Sequence, residues 1–149
     1  MVNTPNTYSE WVLVLDKLKN KEDDEAVLMA MKQGTIQWQS GVAERFALSL
    51  TSAVDHRLNK ATDKFQKEMG YSKGSERMIV GALNTLKKEL TFLADAIDLP
   101  VIPEKDRARY VKLVKDQADN IQKSLEDSAK SDRTGKLSSI VRNNKVNGF

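Results

Sequence analysis

Two apolar seams of similar period constrain the fold of this chain most strongly. In residues 79–97 and again in residues 111–128, apolar positions are spaced alternately by three and four residues. This spacing places one stripe along each of two helices and is typical of helices that pack lengthwise. The first seam consists of Ile79, Leu83, Leu86, Leu90, Leu93 and Ile97, and the second of Val111, Val114, Ala118, Ile121, Leu125 and Ser128.

The link between the two seams is short and contains two prolines, Pro100 and Pro103. Proline restricts the residue before it to extended conformations, and Pro103 suits the first position of a new helix. We therefore expect helices over residues 75–98 and 104–130, joined as an antiparallel hairpin whose axes cross at about 20°.

A third long helix is predicted from residue 36 or 40 to residue 68, ending at Gly70. Its stripe has an average step longer than 3.6 residues, so it should wind slowly around the helix axis. Gly41 indicates either a close helix crossing or a later helix start, and Gly81 favours a crossing, because glycine inside a helix costs about 1 kcal/mol relative to alanine. The stripe consists of Val42, Phe46, Leu50, Val54, Leu58, Ala61, Phe65 and Met69.

Two short helices are predicted ahead of the long ones. Thr7 and Glu10 have the spacing of a capping box for a helix over residues 8–19. The acidic run 22–25 favours the start of a second helix, which Gly34 should end by taking a left-handed conformation. The expected fold is thus an all-α bundle of three long helices with two short N-terminal helices, forming a single domain over residues 1–130.

Residues 131–149 are predicted to be a basic, partly amphipathic C-terminal tail with a short helix. They hold four basic side chains against Asp132, which accounts for the whole net charge of +3. The apolar side of the tail must dock on its own bundle or on a partner. The candidate partner-binding residues are Leu137, Ile140, Val141 and Phe149 of the tail, together with Trp38.

Composition argues against most enzyme chemistry. The chain lacks cysteine and has one histidine, His56, next to Asp55. Neighbouring helical positions point about 100° apart, so these two side chains cannot form a hydrogen-bonded dyad. Glycine-rich phosphate loops are missing. We expect no enzyme, metal or cofactor, and, because no apolar run is long enough for a bilayer span, a protein of the cytoplasm without membrane association.

Basic side chains recur along two predicted helices and in the tail, but acidic residues interleave with them. The candidate phosphate contacts are Arg57, Lys60, Lys64, Lys67, Arg107, Arg109, Arg142 and Lys145. We expect a non-enzymatic interaction or assembly protein that presents helix faces to itself or to a protein partner, and the heptad seams are compatible with a homo-oligomer. The alternative is a nucleic-acid-associated protein that uses the basic faces and tail.

Overall fold

The computed structural model describes residues 2–37, 41–72 and 75–149, and across these residues the chain is all-α, without strands. None of the helices in this part of the chain combines the length and apolar character that a membrane span requires. The helices are α1 (Tyr8–Lys19), α2 (Asp24–Gln33), α3 (Val42–Ser72), α4 (Glu76–Ile97), α5 (Glu104–Ala129) and α6 (Lys136–Asn143).

The start of α1 confirms the predicted capping box. Glu10 N donates to Thr7 Oγ1 at 3.2 Å, and Thr7 N donates to Glu10 Oε1 at 3.1 Å. These reciprocal bonds satisfy two amide groups that the first helical turn leaves without partners.

Two other helix ends differ from the prediction. Helix α3 begins later, directly after Gly41, whose φ of +82° confirms that glycine marks a helix boundary there. The same helix continues past Gly70 to the buried residue Ser72, whose hydroxyl donates to Met69 O at 2.8 Å. A carbonyl of the last turn is thereby satisfied from within the helix.

The chain divides into two compact units, each assembled from two separate stretches of sequence. Unit 1 contains the residues up to Asn59 together with Asp95–Val111, and unit 2 contains Lys60–Ala94 together with Lys112–Phe149. Segment 131–149 therefore belongs to a compact unit along with parts of α3, α4 and α5.

Unit 1 is built around the indole of Trp11, which is fully buried. The ring packs edge-on against Phe46 of α3, with 5.0 Å between centroids and 89° between planes. Its Nε1 donates to Thr35 O at 2.7 Å, which gives the buried N–H its acceptor. One side chain thus joins α1, the segment after α2, and α3.

Gly34 ends α2 as predicted, but for a different reason. Its φ of −69° and ψ of 156° are extended rather than left-handed. A Cβ at this position would lie 2.4 Å from Cζ2 of Trp11 and 3.1 Å from Cγ of Pro5. Glycine is required here because the backbone passes directly against the indole.

The burial predicted for the two seams is confirmed in α4 and only partly in α5. All six seam residues of α4 are buried, as their spacing predicts. In α5 the buried residues are Val114, Ala118, Gln122 and Ala129, while Ser128 is exposed. The predicted face of α5 is therefore displaced in its second half: Ile121 and Leu125 are only half-buried, and the buried side turns towards Gln122, which binds Val146 of segment 131–149.

The close helix crossing predicted at Gly81 is also wrong. Gly81 is exposed, and no described atom lies within 4 Å of the position that a Cβ would occupy. The residue therefore makes room for no neighbour.

These two glycines make a matched pair for a stability test. We expect Gly34→Ala to lower the free energy of unfolding by about 1–3 kcal/mol, because the added methyl group overlaps the indole. Gly81→Ala should raise it by about 1 kcal/mol, since alanine is the better helix former and the site is open. Urea unfolding monitored by Trp fluorescence measures both, and equal effects of the two changes would contradict the packing described for Gly34.

Candidate functional site

The predicted partner-binding residues of segment 131–149 are largely covered by their own chain. Ile140 and Val141 are buried in α6, Leu137 is half-buried, and Phe149 keeps 36% of its surface exposed. Trp38 lies outside the described residues. The apolar side of the segment therefore docks within unit 2, which leaves Ile140 and Val141 unavailable to a partner in this conformation.

A turn after α5 redirects the chain into α6. Gly135 takes a φ of +72°, and Ser138 Oγ reaches back to Ala129 O at 3.3 Å. Asp132 accepts hydrogen bonds from Leu137 N at 2.9 Å and from Thr134 Oγ1 and N at 2.9 and 3.1 Å. These bonds, the one from Leu137 first, lower the pKa of the Asp132 carboxyl below its usual range.

Beyond α6 the backbone is held by a polar residue on the inner face of α5. Val146 is fully buried, and its N–H donates to Oε1 of Gln122 at 3.0 Å. Gln122 is only 3% exposed, and its Nε2 donates to Glu126 Oε1 at 3.0 Å. Asn147 Nδ2 donates to Asp119 Oδ1 at 2.8 Å. We call residues 136–147 the docked segment, because these bonds and the buried side chains fix it on α5.

Arg57 must be removed from the candidate phosphate contacts. Its side chain is 3% exposed, and the guanidinium forms two bonds to Asp24, at 2.8 and 3.0 Å. Nη1 also donates to Leu18 O at 3.1 Å. The seam of α3 winds so that position 57 turns inwards beside Val54 and Leu58, and the arginine joins the end of α1 to the start of α2.

The remaining basic candidates are distributed over both units. In unit 1, Arg107 lies 3.7 Å from Asp98, while Arg109 lies 3.8 Å from Asp106 and over the ring of Tyr110. In unit 2, Lys64 lies 3.8 Å from Glu68 on the same helix. The candidates that remain solvent-exposed in unit 2 are Lys60, Lys64, Lys67, Arg142 and Lys145.

Net charge differs in sign between the two units. The sequence stretches of unit 1 carry nine basic and twelve acidic residues, and those of unit 2 carry fifteen basic and nine acidic residues, giving net charges of −3 and +6. The division into a neutral body and a basic tail hides this segregation, because each unit draws on two distant stretches of sequence.

Helix α1 has an exposed apolar surface that the spacing of apolar residues did not predict. Leu13 is 68% exposed and Val12 41% exposed, although both belong to a helix whose other face is buried. Leu13 and Val2 line a groove of about 160 Å³, together with Val14, Asn3, Glu10 and Lys17. The signal was present in the sequence: residues 11–15 are all apolar, and five successive positions of a helix cannot share one face.

Titratable side chains form no candidate metal centre in the part of the chain that is described. No group of three or more His, Asp or Glu residues there could hold a metal ion. His56 is half-buried on α3, and its neighbour Asp55 is exposed.

The Asp132 turn makes the docked segment sensitive to acid. A carboxyl with a lowered pKa stabilises the folded form above its ordinary pKa, and this contribution is lost as the pH falls through the lowered value. Carbon-detected NMR should therefore give Asp132 a midpoint below 3.8, with the Leu137 amide shift following it. Thr134→Val removes one donor and should raise that midpoint, whereas an unchanged midpoint would contradict the described turn.

No protein-family model matches this sequence, and comparisons with curated proteins and with solved structures find no match.

Proposed function

We propose that this protein is a non-enzymatic, cytoplasmic interaction protein that presents a helix face to a protein partner or to a second copy. The observation that carries this proposal is the outer face of α1, where Val12 and Leu13 are exposed beside the groove that Val2 helps to line. Exposed apolar groups bordered by charged side chains, here Glu10 and Lys17, are typical of interaction surfaces.

Burial of Leu13 would supply the driving force for association. Moving one leucine side chain fully out of water contributes about 1.5–3 kcal/mol, so a few such residues decide whether a contact is stable. Unit 1 has two further exposed apolar side chains, Met29 at 63% and Leu48 at 70%.

The same proposal includes two points of architecture. We infer that α3, α4 and α5 pack together as a three-helix bundle. A homo-oligomer would not use the α4 seam, because all six seam residues are already buried in a single copy. Self-association is therefore assigned to the α1 face.

Light scattering across 5–200 µM tests this assignment. The wild-type mass should rise above 16.7 kDa with concentration, and Leu13→Glu should hold the protein at the monomer mass, because a charge at the centre of the contact cannot be desolvated. Leu113→Glu is the matched control, since Leu113 is a leucine of α5 that is 54% exposed.

A constant monomer mass at 200 µM would exclude self-association. A photo-crosslinking residue placed at position 13 then tests for a different partner in cells, with position 113 as the control. Equal crosslinking at the two positions would contradict the proposed role of the α1 face.

A second candidate function is nucleic-acid binding by unit 2. The net charge of +6 on its two stretches favours it, because phosphate contacts by lysine and arginine supply most of the affinity for nucleic acid. Arg142 and Lys145 are exposed on this unit and lie close together in sequence.

Mobility shift at 50 mM salt tests this second function. Wild-type protein should retain RNA or DNA, and the binding should weaken steeply with salt. Arg142→Ala with Lys145→Ala should reduce the slope of log K against log salt by about 1–2, if each side chain contacts one phosphate. Arg107→Ala with Arg109→Ala, in unit 1, is the matched control with little effect. A wild-type protein that shifts no nucleic acid at 50 mM salt would exclude this function.

A further inference from the structure

We infer that docking of residues 136–147 builds one composite surface for single-stranded nucleic acid, made of Lys87 from α4 and Arg142, Lys145 and Phe149 from residues 142–149. The inference rests on the second proposed function. It adds that the basic residues act as a fixed surface rather than as a flexible basic tail, and it identifies a lysine that sequence reasoning did not single out.

Gly148 shows that the two elements meet. A methyl group on its Cα would lie 3.7 Å from the ammonium of Lys87 and 3.8 Å from the carbonyl oxygen of Lys145. Lys87 and Lys145 are 58 positions apart in the sequence, so only the docked arrangement brings them to the same place. The ammonium of Lys87 therefore lies beside the backbone of residues 145–148, where it adds a positive charge to the exposed basic residue Lys145.

The neighbouring side chains add to this pattern. Arg142 is exposed in the last turn of α6, where a cation is also favoured by the helix dipole. Near the end of the docked segment, Asp119 accepts a hydrogen bond from the side-chain amide of Asn147, whereas Lys136 at its start lies 3.8 Å from Glu76. The Asp119 carboxylate therefore has a neutral donor, and Arg142 and Lys145 are exposed to solvent.

Phe149 specifies the kind of nucleic acid. Phe149 is 36% exposed and directly follows Gly148, the residue whose Cα lies beside Lys87. Proteins that bind single strands combine cations along the backbone with aromatic rings on which bases stack. A duplex has its bases already stacked, so it offers the phenyl ring no partner.

The arrangement depends on two uncharged residues. Val146 is fully buried, and its N–H is bound by Gln122. Val146→Ser together with Gln122→Leu removes the apolar anchor and the acceptor while keeping every charge. This double variant frees the end of the docked segment around residue 146 without changing the number of cations.

Fluorescence anisotropy with a labelled 20-nucleotide single strand at 50 mM salt tests the inference on the full chain. Lys87→Ala, Arg142→Ala/Lys145→Ala and Val146→Ser/Gln122→Leu should each weaken binding several-fold, and Phe149→Ala by about fivefold or more, as loss of one stacked base implies. Lys105→Ala, which removes the same charge from an exposed position of α5 in unit 1, should change the dissociation constant by less than twofold. Circular dichroism and amide exchange at residue 146 show that the docking variant keeps its helices and has freed the end of the docked segment.

The outcomes separate the inference from the function on which it rests. If the docking variant binds like wild type while Arg142→Ala/Lys145→Ala loses binding, the tail acts as a flexible cation source and the composite surface is wrong. Should the docking variant fail to fold, unchanged binding by Lys87→Ala overturns the inference instead. Equal affinity for a duplex or for anionic lipid vesicles contradicts the single-strand assignment, and no binding by wild type excludes the second function itself.

Discussion

Burial of the Trp11 indole is the constraint on which unit 1 depends. Its ring needs apolar neighbours on all sides and its N–H needs an acceptor, and the two requirements are met by different parts of the chain, Phe46 and Thr35. The chain after α2 can supply the acceptor only by leaving the helix and passing close to the ring, which requires glycine at position 34. Loss of a buried tryptophan typically costs about 3–5 kcal/mol, so this arrangement outweighs most surface contacts.

Local signals in the sequence predicted much of the fold, because the interactions behind them act over three or four residues. The capping box at Thr7 and the seam of α4 are of this kind, and both are confirmed. Roles that depend on distant partners could not be predicted in this way. Arg57 binds Asp24, from which it is separated by 33 positions in the sequence, and Gln122 binds Val146 across 24 positions. Periodicity alone placed Arg57 on a basic face and left Gln122 outside the apolar face of α5.

The candidate site was less predictable than the fold for the same reason. Composition located surplus positive charge in residues 131–149, but the net charge of unit 2 depends on which distant stretches fold together. The exposed face of α1 was visible as an unbroken apolar run, yet only the structure shows that Leu13 is the member most exposed. The two proposed functions use different units and therefore do not compete for one surface.

The discontinuous make-up of the two units has a consequence for synthesis on the ribosome. Unit 1 is incomplete until residue 111 has been synthesised. In unit 2, Gln122 on the inner face of α5 has no Val146 amide to bind until residue 146 has been synthesised. Domains usually fold as their sequence emerges from the ribosome, but here the early stretch of each unit cannot complete its packing until the later stretch has been synthesised. The part of α4 in unit 2 is therefore made before residues 112–149, which complete that unit, and it stays without these partners until they have been synthesised.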